Sequence, residues 1–205
     1  MTALAGQDAL RSTLGEPSET VKAKIADRLN DLTRQFVERS PFCCLATSAA
    51  DGTCDVSPRG DPPGFVRIID ERTLLLPDRP GNKLAHSFLN VLENPHVALI
   101  FMIPGVTDTF RVNGRATIVE DSELLAHCAV EGKAPALGYL IEVEEAYTHC
   151  SKAFLRSNLW DPERYVDRSE LPSNGELLRS VGADVEPATY DAERAERYAR
   201  REGFY

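Results

Sequence analysis

The sequence predicts a mainly β protein, a small antiparallel barrel with helices packed outside it. Three observations carry this. Six or more short apolar segments are bounded by turn residues, as strands are. A single helical segment interrupts them, so they do not alternate strand and helix as a doubly wound parallel sheet requires. The longest candidate strand, over 107–118, alternates polar and apolar residues with a period of two.

Taken in order, residues 1–17 are a polar lead-in. Over 18–39, Val21, Ile25, Leu29, Leu32 and Phe36 recur at three- and four-residue steps, one stripe of an amphipathic helix that Ser40-Pro41 ends. Short runs over 42–48 and 53–56 flank Asp51-Gly52, a strong hairpin signal. Runs over 65–70 and 73–76 form a second hairpin. A helix is predicted over 83–93, with Leu84, Phe88, Leu89 and Leu92 on one face and Asn94-Pro95 closing it. The run over 97–103 reads as a strand buried on both sides, and Pro104-Gly105 turns it into the long strand. A short helix opens at Asp121, a last strand covers 137–147, and from 151 onward the pattern is helical and loop-like. The expected organisation is an N-terminal helical extension (1–40), a barrel domain (41–150) and a C-terminal helical and loop extension packed on the barrel (151–205).

Composition excludes some functions. With 205 residues, 42% hydrophobic and 27% charged, the chain suits one globular domain with extensions. Its longest apolar run is far short of the roughly 20 residues of a membrane-spanning helix, and no apolar leader is visible, so the expected address is cytoplasmic. A net charge of −9 argues against a general grip on nucleic acid or anionic lipid, yet leaves room for a small anion held by clustered arginines. The five cysteines (43, 44, 54, 128 and 150) have neither the number nor the spacing of a disulfide framework or a zinc site, and read as reduced, structural residues. His86, His96, His127 and His149 share no ligand-like spacing, so no metal is expected.

The chemistry concentrates between residues 56 and 83. Ser57-Pro58-Arg59-Gly60 and Leu76-Pro77-Asp78-Arg79-Pro80-Gly81-Asn82-Lys83 each leave a strand into a Gly/Pro-rich turn carrying arginine. The second runs straight into a predicted helix, whose free N–H groups beside Arg79, Asn82 and Lys83 would cradle a phosphate. The competing reading is that these are solvated turn residues, with Arg79 exposed and contributing little to the core. No dinucleotide fingerprint or P-loop is present. On the long strand, Arg111, Asn113 and Arg115 share the polar face; Arg111 lies nearer the turn and is the better ligand candidate, while Arg115 reads as solvated. Trp160 is either a loop anchor or a wall of a ligand pocket.

Ser-Pro-Arg after a first hairpin, then Leu-Leu-Pro-Asp-Arg-Pro-Gly-Asn-Lys, then a helix running to Glu-Asn-Pro-His-Val-Ala-Leu-Ile-Phe, resembles the pyridoxamine 5′-phosphate oxidase superfamily. Phe-Arg-Val-Asn-Gly-Arg-Ala from Phe110, and Leu-Trp-Asp-Pro around Trp160, are similar to a bacterial subgroup described as FMN-dependent. The resemblance covers about 20–165. It implies a six-stranded antiparallel split β-barrel of the FMN-binding type, with N- and C-terminal helices, dimerising with two FMN molecules at the interface. It places Ser57, Pro58, Arg59, Leu76 and Pro77 along the flavin, Arg79, Asn82 and Lys83 at its phosphate, and Thr109 and Arg111 at the isoalloxazine edge. The activity implied is that of an FMN-dependent oxidoreductase of unknown substrate and electron donor, with no assigned catalytic residue. Two alternatives stay open: a non-catalytic flavin-binding or redox-sensing protein, and a split barrel holding another cofactor such as deazaflavin or haem. The closing Arg-Arg-Glu-Gly-Phe-Tyr does not match the Arg- and Trp-rich C-terminus of authentic pyridoxamine-phosphate oxidases, and the turn lacks their Ser-Arg-Lys order, so vitamin B6 oxidation does not follow from the resemblance.

Overall fold

A computed structural model describes residues 3–205. Seven strands form one antiparallel sheet: β1 (Phe42–Ser48), β2 (Cys54–Gly60), β3 (Arg67–Asp70), β4 (Thr73–Pro77), β5 (His96–Met102), β6 (Thr109–Val119) and β7 (Gly138–His149). Their order across the sheet is β2-β1-β5-β6-β7-β4-β3. The protein is therefore mainly β with flanking helices, as the sequence predicts. The sheet, however, has seven strands rather than six, and among the described residues no backbone ladder closes it into a barrel. Its edges explain why. Pro58 on β2 has no N–H to give a further strand, and β3 is four residues long with an irregular register.

Each strand follows its pattern. On β1 and β5 alternate residues are buried, including Cys43, Leu45, Leu99 and Phe101. The second face of β5 is half-buried where full burial was expected, because β5 lies inside a sheet only one of whose faces encloses the core. On β6, Phe110, Val112 and Ala116 enter the core while Arg111, Asn113 and Arg115 point away, as the period-two reading requires. At Gly114 the register with β7 shifts by one residue, leaving Glu144 as the extra residue of a bulge. The backbones approach so closely there that a Cβ on Gly114 would stand 2.0 Å from the Glu142 carbonyl oxygen.

The helix predicted over 18–39 is broken. A short helix, α1 (Gln7–Leu14), precedes it, and over 18–39 stand only α2 (Glu19–Ala23) and α3 (Arg34–Arg39). Between the last two, Ala26 exchanges both backbone hydrogen bonds with Ala146, and the Leu29 N–H donates to the Glu71 carbonyl at 2.8 Å. Asn30 Oδ1 then accepts from the Leu32 and Thr33 N–H groups, which turns the chain into α3. Pairing with the sheet outcompetes a helix whose stripe is left largely exposed at Val21, Ile25 and Leu32. Leu29 and Val37 from this segment enter the main core.

The helix expected over 83–93 starts three residues late. It is α4 (His86–Glu93), covering β1, β2 and β6. After α5 (Ser122–Ala126), the chain beyond β7 forms α6 (Lys152–Ser157), α7 (Asn174–Ser180) and α8 (Pro187–Ala199), joined by short 3₁₀ turns. Trp160 is a loop anchor, its Nε1 donating to the Val106 carbonyl at 2.9 Å and its ring lying against Phe154. The cysteines are unpaired, but only Cys43 and Cys128 are buried; Cys54 and Cys150 are exposed, contrary to a wholly structural reading. Burial pushes the Cys43 thiol up to about 12.

The bulge yields a test of the sheet. Gly114→Ala should cost about 1–3 kcal/mol, because the added carbon meets backbone that has no room to yield. Chemical denaturation measures it; an unchanged midpoint would mean the strands do not approach as described.

Candidate functional site

The cleft that matters lies where the ends of β2 and β4 meet the start of α4. On β2 the half-buried residues are Asp55, Ser57 and Arg59, two apart, so all three point to one face. That face turns toward the loop 78–85. Arg59 Nη1 binds Asp78 Oδ1 at 2.7 Å, and Arg79 Nε binds Asp61 Oδ2 at 2.6 Å. The ends of the edge strand β2 and of β4, the last strand but one at the other side, are thus joined by side chains where no ladder joins them.

The cleft, open to solvent on one side, measures about 620 Å³ and is lined by β2, by the loop 77–85 and by the first turn of α4. Seven of the ten residues proposed from the sequence line it: Ser57, Pro58, Arg59, Pro77, Arg79, Asn82 and Lys83. The other three do not. Leu76 is wholly buried in the main core, Thr109 is buried beside β7, and Arg111 lies over the Tyr147 ring at 5.3 Å. Reasoning from sequence missed Asp55, Asp78, Ser87 and Phe88. Asp55 was legible, two residues before Ser57 on the same strand face; Ser87, inside a helix, carried no signal.

The loop before α4 is held in an uncommon conformation. Lys83 has φ 62° and Ala85 φ 57°, both left-handed without being glycine, at about 1–3 kcal/mol each. Asn82 Oδ1 accepts from the Leu84 N–H and fixes the turn. Ala85 caps α4 with no side-chain bond, and among the described residues nothing accepts from the N–H groups of His86, Ser87 or Phe88. Three free donors therefore face the cleft at the positive end of a helix. Lys83 stands beside them, the one lysine or arginine of the lining with no ion pair among the described residues. This donor set fits a phosphate group, which accepts hydrogen bonds and carries negative charge.

Arg79 is not the exposed turn residue expected. Its side chain is 17% exposed and its partner Asp61 only 1%. Its Nη2 also donates to the Cys128 carbonyl at 2.7 Å, and the Tyr205 ring covers it at 5.3 Å. Tyr205 Oη donates to the second Asp61 oxygen at 2.6 Å, which raises the pKa of the phenol. The chain after α8 thus folds back onto this arginine and walls a second, smaller cleft of about 490 Å³ with Tyr198, Glu202 and Phe204. The network follows from charge burial: Asp61 could not be so enclosed without both partners.

Behind the cleft, the fully buried Tyr139 stacks on Phe88 (4.6 Å between centroids) and has the Arg59 guanidinium 5.5 Å from its ring. Its hydroxyl finds no partner among the described residues, and burial pushes it up to about 12, so it remains a donor. Arg115 is exposed, as expected, and meets His96 Nε2 at 2.9 Å. No group of histidine, cysteine and carboxylate residues among those described could hold a metal ion.

Arg79→Ala and Lys83→Ala should therefore differ in kind. Removing Arg79 strands a buried carboxylate and should lower stability by about 3 kcal/mol. Removing the exposed, unpaired Lys83 should change stability by less than about 0.5 kcal/mol. Denaturation of both variants measures the difference; equal stabilities would contradict the role given to the Asp61 pair.

Comparison with known proteins agrees with this architecture. The family model described as pyridoxamine 5′-phosphate oxidase matches residues 29–150, more than half of the chain. No curated protein matches. Among solved structures, HupZ of Group A Streptococcus is 15% identical at a TM-score of 0.47, over 58% of this chain and 93% of its own. General Stress Protein 26 of Bacillus anthracis is 16% identical at 0.43, over 58% and 94%. A conserved hypothetical protein of Mycobacterium tuberculosis is 19% identical at 0.43, over 71% and 98%. The matched segment runs from Leu29, the first residue of the core, to the end of β7, and on that evidence the chain belongs to the pyridoxamine 5′-phosphate oxidase family.

Proposed function

We propose that the protein binds FMN in the cleft between β2 and α4 and acts as an FMN-dependent oxidoreductase on a small molecule. One observation supports this above the others: the free N–H groups of His86, Ser87 and Phe88, with the unpaired Lys83, form a phosphate-sized set of donors in a cleft of a protein of this family. Bound FMN supplies two-electron transfer between a donor and an acceptor. The chain's own residues do the rest. Lys83 and the helix N–H groups hold the phosphate, and Asn82 keeps Lys83 in its left-handed turn. Ser57, Pro58, Arg59 and Pro77 form the wall along the ligand. Arg79 acts here through the loop it pins, since two of its three nitrogens are committed to Asp61 and Cys128.

The reading includes a homodimer. Leu89 and Leu92 of α4, Leu84 before it and Val56 on the edge strand β2 are all exposed beside the cleft, Leu92 at 74%. A second copy is the natural cover for such a face, through a twofold contact. Arg111, which does not line the cleft of its own chain, belongs to this reading as a residue of the facing copy; Thr109, buried in its own chain, does not.

Three measurements test it. Flavin released from the purified protein, or loaded onto it at micromolar concentration, should be FMN; FAD in its place, or no binding at all, contradicts the assignment. Lys83→Ala should weaken FMN binding by about 1.5–3 kcal/mol, one to two decades, as for a charge-assisted hydrogen bond. Light scattering should give twice the monomer mass, and a flavin-loaded monomer would overturn the dimer.

A further inference from the structure

Beside the phosphate donors the cleft changes polarity. Ser87 Oγ lies 3.0 Å from Asp55 Oδ2 and 3.1 Å from Ser57 Oγ, and Arg59 Nε donates to Ser57 Oγ at 3.1 Å. The hydrogens can be assigned by counting. An ionised carboxylate only accepts, so the single hydroxyl hydrogen of Ser87 goes to Asp55. Ser57 must then donate its own hydrogen to Ser87, while it accepts from Arg59. The chain runs one way, Arg59 to Ser57 to Ser87 to Asp55. It leaves Ser57 and Ser87 each with a spare lone pair and no spare hydrogen.

Both residues line the cleft, Ser87 from a buried position at its inner wall. Ser87 also carries one of the three free N–H groups, so the acceptor-only patch begins where the donor-only patch ends. We infer that Ser57 and Ser87 select a ligand bearing a hydroxyl next to its phosphate: a phosphorylated polyol chain, rather than a phosphate carried on a bare methylene beside a ring. This rests on the FMN reading and deepens it, since the hydroxyls recognised are those of the ribityl chain. Asp55 is a positioning residue. It touches no ligand in this scheme but fixes the direction of every hydrogen bond before it, and the half-buried Arg59, held by Asp78, fixes the other end. A phosphate oxygen against Ser57 would face a lone pair and gain nothing, which places the anion at Lys83 and the polyol along β2.

The test compares FMN with an analogue that keeps ring and phosphate but carries an unsubstituted five-carbon chain in place of the ribityl group. Fluorescence quenching gives both affinities for wild type, Ser57→Ala and Ser57→Thr. The wild-type preference for FMN over the analogue should fall about 2- to 12-fold in Ser57→Ala, the worth of one hydrogen bond. Ser57→Thr, which restores a hydroxyl on a strand-compatible side chain, should retain it. The same preference in wild type and Ser57→Ala would overturn the inference while leaving FMN binding intact. Wild type that binds neither ligand would overturn the FMN reading itself.

Discussion

Arg59 pairs with Asp78 and Arg79 with Asp61, so the ends of β2 and β4 exchange an arginine and an aspartate in each direction across the open seam of the sheet. These strands are far apart in sheet order and share no backbone bond. Surface ion pairs contribute little, but these are largely withdrawn from water and tied into further hydrogen bonds, so losing one member exposes the other to the full cost of an unpaired charge. Everything that builds the cleft hangs from them. Asp78 orients Arg59, which orients Ser57; Asp61 anchors Arg79 at the start of the loop that ends in Lys83 and α4; and the chain after α8 closes over the second pair through Tyr205.

The cleft that results is partitioned by hydrogen-bond polarity. Its α4 end offers three backbone N–H groups and a lysine as donors. Between that end and the β2 wall stand two hydroxyls whose hydrogens are already spent, Ser57's on Ser87 and Ser87's on Asp55. The left-handed turns at Lys83 and Ala85 are strain held in place by Asn82 and by the pinned Arg79, and strain of this kind collects at ligand clamps. Cations committed to structure and one left free is an economical way to hold an anion in a chain of net charge −9.

Much of this was legible in the sequence. The alternation through Phe110, Val112 and Ala116 gave the faces of β6 correctly, and Ser57–Arg59 with 77–83 marked the cleft wall. What failed did so for physical reasons. The stripe from Val21 to Phe36 has helical periodicity, but Ala26 and Leu29 find sheet partners over a hundred and some forty residues away, respectively, which no local pattern encodes. Arg79 sits in a Pro/Gly turn that looks solvated, and its burial depends on Asp61, Cys128 and Tyr205 arriving from elsewhere. Six strands were expected where seven stand, and whether the sheet closes is decided at the edges, by Pro58 and the short β3.

Salt-bridged arginines shape the cleft, then, while backbone N–H groups and Lys83 are left to bind the anion. A crystal structure of the protein with FMN tests this most directly. The phosphate should lie within hydrogen-bonding distance of the His86, Ser87 and Phe88 N–H groups and of Lys83 Nζ, with the Arg59–Asp78 and Arg79–Asp61 pairs intact. A phosphate held by Arg79 with its Asp61 pair broken, or lodged away from α4, would contradict it.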